Sequence, residues 1–319
     1  MALLLFALRR LASAVVVLFA VSILTFLIFV AMPNGDPALR LAGRTATQAN
    51  IAVVRHAYGF DRPIYIQYLK TMDQIFTGKI QSYTQHVTVF SQIKRGLPAT
   101  FSLAIGAAII WMIIGIVLGV IGALRAGKAT DVAITTVSFV GISAPSFVVG
   151  AILLFALTYK SHVFPAGGYI PITSDPAMWA QHLVLPWITL AILYIGIYAQ
   201  VLRSSVLDAM TTDAVRTAYA KGLSRRRVLI KHVLRVSLIP IVSLWGLDFA
   251  AVIGGSTLVV EVVFNLNGIG QYAAMSVRSL DVPPVLVVTL LGAFFVIFMN
   301  AVVDVLYAVL DPRIRSASS

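Results

Sequence analysis

The sequence predicts an all-α polytopic membrane protein with six transmembrane helices. Three observations predict it. Hydrophobic residues fill 59% of the 319 positions and charged residues only 11%, against about 25% charged in soluble domains. The mean hydropathy is +0.94. Six apolar stretches, near 10–31, 99–123, 132–158, 183–202, 237–260 and 285–308, are long enough for helices that need about 20 residues to cross a bilayer. Cysteine is absent, which excludes disulfides and Cys-ligated metals.

The first apolar run, Leu11 to Met32, follows Arg9-Arg10. A cleaved signal peptide has an apolar core of roughly 7–15 residues. This run is longer and lacks a convincing small-residue cleavage site, so it reads as an uncleaved first span, and no twin-arginine pattern follows the two arginines. The chain then divides into 1–31, a helical extracytoplasmic segment over 32–98, and a core of five spans over 99–319. Within the second part, Asp61-Arg62-Pro63 followed by IYIQYLKTMDQIFTG predicts an amphipathic helix. Asp61 is its expected N-cap, Pro63 lies in its first turn, and Gly78 is its stop. Ile64, Tyr68 and Ile75 fall near one face.

The second span carries Gly115-Ile-Val-Leu-Gly119, a small-xxx-small pair that lets another helix approach closely. In the third, Ser143 and Pro145 are expected to kink or loosen the helix. The fourth is interrupted by Pro186 and is the weakest of the six; a proline is tolerated where neighbouring helices satisfy the freed carbonyl. The fifth holds Asp248 within LWGLDFAAVIGG. An ionised carboxylate there costs about 2.5–3.5 kcal/mol on insertion scales, so Asp248 should face an interior, a cavity or a partner. Two roles stand open: a structural hydrogen bond inside the bundle, or a place in a translocation path facing a substrate amine.

The formal charge is +12. A nucleic-acid reading fails, because the basic residues lie in loops beside spans, where they act as topology determinants and anionic-lipid contacts. With the N-terminus inside, cytoplasmic pieces carry Arg9, Arg10, Arg125, Lys128, the basic residues of the loop after the fourth span, Arg313 and Arg315. The short outside loops carry only Lys160 and Arg278. Both termini are therefore expected in the cytoplasm.

The polar stretch 203–240, with a cytoplasmic loop over 203–236, carries eight Lys/Arg between two spans. It divides at Gly222-Leu-Ser224. Asp213–Lys221 reads as a short helix, with Thr212 as cap, Asp213 suited to its N-terminus and Lys221 to its C-terminus. Gly222 is the natural left-handed stop. Ser224 then caps a second helix running toward the fifth span. Arg225, Arg226 and Arg227 crowd the positive end of that helix, each at a cost of about 0.3–1 kcal/mol before screening. Local stability does not explain them; an acidic partner surface or lipid phosphates would. A plain positive-inside connector is the alternative.

Three other patterns lose to plainer readings. Gly122-Ala-Leu-Arg-Ala-Gly127-Lys128-Ala129 nearly spells a phosphate loop, but Ala129 stands where the magnesium-binding hydroxyl belongs and no strand precedes it. Gly141-Ile-Ser143-Ala-Pro145 resembles a nucleophile elbow without its final glycine. The histidines at 56, 86, 162, 182 and 232 form no zinc pattern. A membrane enzyme is thereby disfavoured. An ion-coupled secondary transporter is the other alternative, but such chains often show internal repeats and several midplane charges, and Asp248 is the one clear midplane carboxylate read here.

The loop resembles that of a permease subunit of an ATP-binding-cassette (ABC) importer. The generic motif, Glu-Ala-Ala-x3-Gly, aligned on Gly222, puts Arg216 at the Glu position and Thr217 and Ala218 at the Ala positions. Its Ile-x-Leu-Pro tail falls at His232, Leu234 and Arg235, where only the Leu matches. RTAxAKGLSRRRVLxKHxLRxxLIP is instead similar to the dipeptide/oligopeptide subfamily. DRPIYIQYLK at 61–70, LPATFSLAIGA at 97–107, SAPSFVVG at 143–150 and NAVVDVLYAVLDPRIR at 300–315 extend the resemblance over most of the chain. Two positions depart from it: Gly78-Lys79 replaces Gly-Asp, and Asp248 stands where a neutral amide is expected.

The resemblance implies a type I ABC importer permease fold in the bacterial inner membrane. It implies a second homologous permease, two ATPase subunits, an extracytoplasmic substrate-binding protein and a di- or oligopeptide cargo, with nickel or glutathione as alternative solutes. The chain is then no enzyme and holds no cofactor, ATP and Mg being bound by the partner ATPases. The ATPase-coupling residues are Arg216, Thr217, Ala218, Lys221, Gly222, Ser224, Arg225, Arg226 and Arg227. Asp248, Ser143 and Pro145 are candidates for the pathway or an interface.

Overall fold

The computed structural model describes residues 2–31, 37–42 and 46–310; Arg313 and Arg315, with the end of the 300–315 stretch, lie outside them. The helices are α1 (Ala2–Phe26), α2 (Pro37–Ala42), α3 (Gln48–Tyr58), α4 (Ile64–Phe76), α5 (Val89–Leu124), α6 (Ala129–Ser143), α7 (Ser146–Leu153), α8 (Pro176–Met210), α9 (Asp213–Ala220), α10 (Arg225–Val228), α11 (Leu234–Ser237), α12 (Ile239–Ala251), α13 (Leu258–Val263), α14 (Ile269–Arg278) and α15 (Val282–Leu310). Wider π turns extend the chain at Leu27–Ala31, Leu154–Lys160, Leu229–Val233 and Val252–Ser256.

Five stretches are long and apolar enough to cross a membrane: 12–30, 89–124, 176–210, 225–256 and 282–303. A sixth, Ala129–Ser143 with Ser146–Lys160, is bent by 101°. Pro145 causes the bend. It has no N–H for the helix ladder and clashes with the preceding turn, and it forces Ala144 into the extended region at φ −80°, ψ 121°. The kink expected from Ser143 and Pro145 is thus present.

The centre of the molecule is α5 against α8. At about 1.5 Å per residue, these helices of 36 and 35 residues outrun a hydrocarbon core of about 30 Å, so the second span begins ten residues before the apolar stretch that announced it. Gly115 and Gly119 are what bring the pair together. A Cβ at Gly115 would lie 2.6 Å from Tyr198 Cβ, and one at Gly119 would lie 2.8 Å from Leu202 Cβ. Lipid offers helices no hydrophobic reason to associate, so close backbone approach and dispersion must do it. Trp111, Tyr198, Leu183 and Leu202 are fully buried in the resulting core.

The fourth span corrects the sequence reading. It runs unbroken through buried Pro186 and is the most buried of the five, although the least apolar. Its low hydropathy reflects protein neighbours rather than lipid. The fifth span also ends early. Gly255 adopts φ +153°, ψ −14°, a conformation open in practice only to glycine, and the chain turns there into α13 and α14, a packed hairpin where the sequence suggested a simple loop.

The amphipathic helix expected after Asp61-Arg62-Pro63 is present as α4, with Gly78 beyond its end at φ +70°. Its expected N-cap is not: Pro63 occupies that position, and Asp61 instead bonds His56 Nδ1 at 2.8 Å. That bond holds the Asp61 carboxyl below the usual carboxylate range. The 82–84 turn is clasped to the start of α15 by Asp281, which is 1% exposed. Its carboxylate accepts from Ser82 Oγ, from Tyr83 N at 2.9 Å and from Thr84 Oγ1 at 2.8 Å. Burial, then the charge of Asp281, pushes the Tyr83 phenol up to about 12.

Candidate functional site

α8 ends at Met210 and the chain turns through Thr211 and Thr212 into α9. Val215 and Ala218 are the inward positions of α9, each 3% exposed, and they pack with Val228 and Val233 of the following segment. The remaining residues named for ATPase coupling, Arg216, Thr217, Lys221, Gly222, Ser224, Arg225, Arg226 and Arg227, are all exposed. Ala218 therefore anchors the surface and does not belong to it. The helix matches the expected one to within a residue, Lys221 being its C-cap.

Gly222 holds φ +74°. Its N–H donates to Tyr219 O at 2.9 Å, and that of Leu223 to Ala218 O at 3.2 Å, closing the helix with a left-handed residue. Thr212 and Ser224 stand at the two N-cap positions with extended backbone, yet neither hydroxyl caps its helix. Thr212 Oγ1 donates back to Ala209 O at 2.7 Å, one of the last-turn carbonyls of α8 without an i+4 partner, which Thr212 N also reaches at 3.3 Å. Arg225, Arg226 and Arg227 have no acidic partner among the described residues. Arg225 and Arg226 line an open groove of about 650 Å³ with Leu124, Met210, Tyr219, Leu229 and Val233.

Beneath this surface lies a pair the sequence reading missed. Arg203 was counted with the basic loop, but it belongs to α8 and forks onto Asp131 at the start of α6. Nε–Oδ1 is 2.6 Å and the second nitrogen reaches Oδ2 at 2.8 Å. The Gly127 N–H adds a third bond to Oδ2 at 2.9 Å. Two parallel charge-assisted bonds fix geometry as well as energy, so the 125–128 turn is tied to α8, whose end leads into α9. The near-phosphate loop thus serves an aspartate.

Asp248 is half-buried on α12 and accepts from Tyr198 Oη at 2.9 Å. Tyr198 is fully buried beside Trp111, which stacks on Tyr194 at 4.5 Å. The structural hydrogen bond weighed for Asp248 is present. Ser143 and Pro145 are exposed at the bend after α6, and no hydrogen bond among the described residues joins them to Asp248.

Asp248 is not the one interior carboxylate. Glu261 is 0% exposed. It accepts from Thr100 Oγ1 of α5 at 2.7 Å and from Gln271 N at the start of α14 at 2.9 Å. Thr100 Oγ1 in turn accepts from Ile269 N at 2.9 Å. Free N–H groups and the helix dipole favour an anion there. Burial still pushes the Glu261 carboxyl above its ordinary range. The available signal was a lone acid in an otherwise apolar VVEVVF run.

The family model described as binding-protein-dependent transport system inner membrane component matches residues 115–316, and its N-terminal companion matches 3–104. The chain is 36% identical to a probable peptide ABC transporter permease protein, y4tP, of Sinorhizobium fredii, over 97% of this chain and 98% of that one. It is 34% identical to the oligopeptide transport system permease protein AppB of Bacillus subtilis, over 96% and 98%. It is 35% identical to the glutathione transport system permease protein GsiC of Escherichia coli, over 97% and 98%. With six apolar helical spans, one of them kinked, and this coverage from end to end, the chain belongs to the binding-protein-dependent transport system inner membrane component family, as a multi-pass permease of an ABC importer.

Proposed function

We propose that this permease carries di- or oligopeptides inward, and that the exposed α9–Gly222–α10 surface docks on an ATPase subunit. The observation that carries the proposal is the trio of arginines at the start of α10, which have no acidic partner among the described residues. They cost their own helix stability and face outward, where an acidic groove on a partner would neutralise them. α9 presents Arg216, Thr217 and Lys221 on the same surface while Val215 and Ala218 fasten it to the bundle. Closure of two ATPase subunits would push α9. The Arg203–Asp131 fork would pass that push to α8 and α6, and the spans would re-gate a central cavity shared with a second homologous permease. On this reading the termini and the 203–236 loop are cytoplasmic, the 32–98 segment lies outside beside a substrate-binding protein, and Asp248 faces the pathway.

Two variants test it. Gly222→Val forces a β-branched residue into the left-handed region at roughly 1–2 kcal/mol, although nothing lies within 4 Å of the added Cβ. The strain is therefore conformational, and the spans should still insert. Reversal of Arg225, Arg226 and Arg227 to Glu should weaken ATPase co-purification, and added salt should reproduce part of that loss. Wild-type association and wild-type substrate-stimulated hydrolysis in both variants would return the loop to a plain connector. Cargo is tested separately, by which ligand of the binding protein raises hydrolysis. Stimulation by glutathione and not by other peptides would assign the cargo of the GsiC-like reading.

A further inference from the structure

We propose that α4 lies in the membrane interface beside α1 and that its polar side, with Arg62, Lys70 and Lys79, seats the phosphate of an anionic lipid headgroup.

The inward side of α4 fixes its depth. Tyr68 shares a hydrogen bond with Ser22 Oγ at 2.7 Å and packs edge-on against Phe26 at 5.3 Å. Met72 is buried with Phe26 and Leu286. Ser22 and Phe26 sit on the last turns of the first span, which ends at residue 30, and Leu286 sits near the start of α15. α4 is thus held at the level where that span leaves the apolar layer.

The neighbouring stripe is apolar and uncovered. Tyr65, Leu69 and Phe76 follow at i, i+4 and i+11 and therefore share a face. They are 63%, 63% and 86% exposed. A lone exposed apolar residue is ordinary, whereas an aromatic-rich stripe beside a span matches a helix lying in the interface. α1, on which α4 packs, is the least buried of the five unbent spans, which leaves this side of the chain open to lipid.

The third side of α4 is polar and cationic. Gln67, Lys70, Thr71 and Gln74 line a cleft of about 260 Å³ together with Arg62 and Lys79, with Val30 of the first span in its wall. Among the described residues no carboxylate lines it. Arg62 Nε and Lys70 Nζ come within 3.7 and 3.8 Å of one point beside Gly59. Two cations converge there, while the adjacent Asp61 is turned away to His56. A phosphate at the mouth, with its acyl chains running down past Val30 and Leu69, satisfies the cleft and the stripe together. Juxtamembrane Lys and Arg gain about 1 kcal/mol each from an anionic surface.

The test uses the assembled transporter, in which this chain is naturally free of cysteine. Nitroxide labels on Leu69→Cys and Gln74→Cys, in vesicles of phosphatidylcholine with phosphatidylglycerol, are read by collision with oxygen and with an aqueous nickel chelate. Leu69 should favour oxygen and Gln74 the chelate. Phosphatidylglycerol retained through detergent extraction, relative to phosphatidylcholine, is then read by native mass spectrometry. The double change Arg62→Gln with Lys70→Gln should lower that preference roughly 30-fold and leave substrate-stimulated hydrolysis in detergent unchanged. A Leu69 label that favours the chelate, or is shielded from both reagents by a protein neighbour, overturns the proposal. An unchanged lipid preference in the double variant also overturns it. So does equal protection of the delipidated complex by inorganic phosphate alone, which would make the cleft a site for a free anion.

Discussion

Three glycines on one face of α5 should respond differently to the same added methyl. A Cβ at Gly115 would lie 2.6 Å from Tyr198 Cβ, and one at Gly119 would lie 2.8 Å from Leu202 Cβ and 2.9 Å from Ala199 O. Carbon atoms rest about 3.5–4.0 Å apart, so α5 and α8 must separate by about 1 Å. Neither neighbour can yield alone, because each is the root of a side chain on a buried helix. A Cβ at Gly122 meets Arg203 Cδ at 3.4 Å and Asp131 Oδ1 at 3.6 Å, ordinary contact distances that need no movement. Overpacking costs about 1–3 kcal/mol, and Gly→Ala in a helix returns about 0.5–1 kcal/mol. Gly115→Ala and Gly119→Ala should therefore lose up to about 2.5 kcal/mol net, while Gly122→Ala should be neutral or slightly stabilising. Thermal unfolding of the purified complex gives the order, at roughly 2–4 °C per kcal/mol for a chain of this size class. Gly115→Ala should also stretch the Tyr198–Asp248 bond, since α8 carries Tyr198 outward. A Gly115→Ala protein no less stable than Gly122→Ala would refute the claim that close backbone contact holds this pair.

Three further outcomes are expected. Single cysteines at Gln48 and Ser224 should label from opposite faces of intact cells; labelling from one face would remove the 203–236 loop from any cytoplasmic ATPase. Asp248→Asn should assemble normally and alter transport of some solutes, and Asp248→Leu should insert as well as the parent or better; normal transport by both would leave Asp248 a structural partner of Tyr198 and nothing more. Asp131→Asn should uncouple hydrolysis from transport without loss of ATPase association, Arg203→Lys should fall between it and the parent because the fork becomes a single contact, and full coupling in Asp131→Asn would show that the 125–128 turn carries no motion.

Most of the span pattern was legible because a helix in lipid must be apolar over its own length, and that is a local property. The same locality misjudged the fourth span. Its weaker apolarity and Pro186 looked like faults, yet α8 is bordered by α5, α6 and α7, and a helix surrounded by protein need not satisfy lipid. The breaks at Pro145 and Gly255 differ in the same way. Proline declares its bend in the sequence, whereas Gly255 is one glycine among 22 until its φ is known. On the exposed loop, Gly222 and the arginines were readable because their roles are set by the neighbouring residues of one short helix.

The carboxylates show where that kind of reading stops. Asp248 drew notice because it stands in the middle of a span, where a charge needs a reason. Asp131 and Asp281 stand at helix starts and look like ordinary loop acids, and Glu261 is marked only by the apolar residues around it. Each is at most 4% exposed, and each is held by groups distant in the chain: Arg203 for Asp131 across 72 residues, Thr100 for Glu261 across 161, and Ser82 for Asp281 across 199. Each also accepts at least one backbone N–H from a turn or helix start. A turn that packs inside a membrane protein must find partners for N–H groups that water would otherwise take, and a carboxylate supplies two oxygens for the purpose. The demand is created by the turn and met by an acid elsewhere, so neither sequence neighbourhood contains the explanation. It follows that all three acids should tolerate loss of charge worse than Asp248 does, since their oxygens answer backbone donors while the described partner of Asp248 is a single phenol.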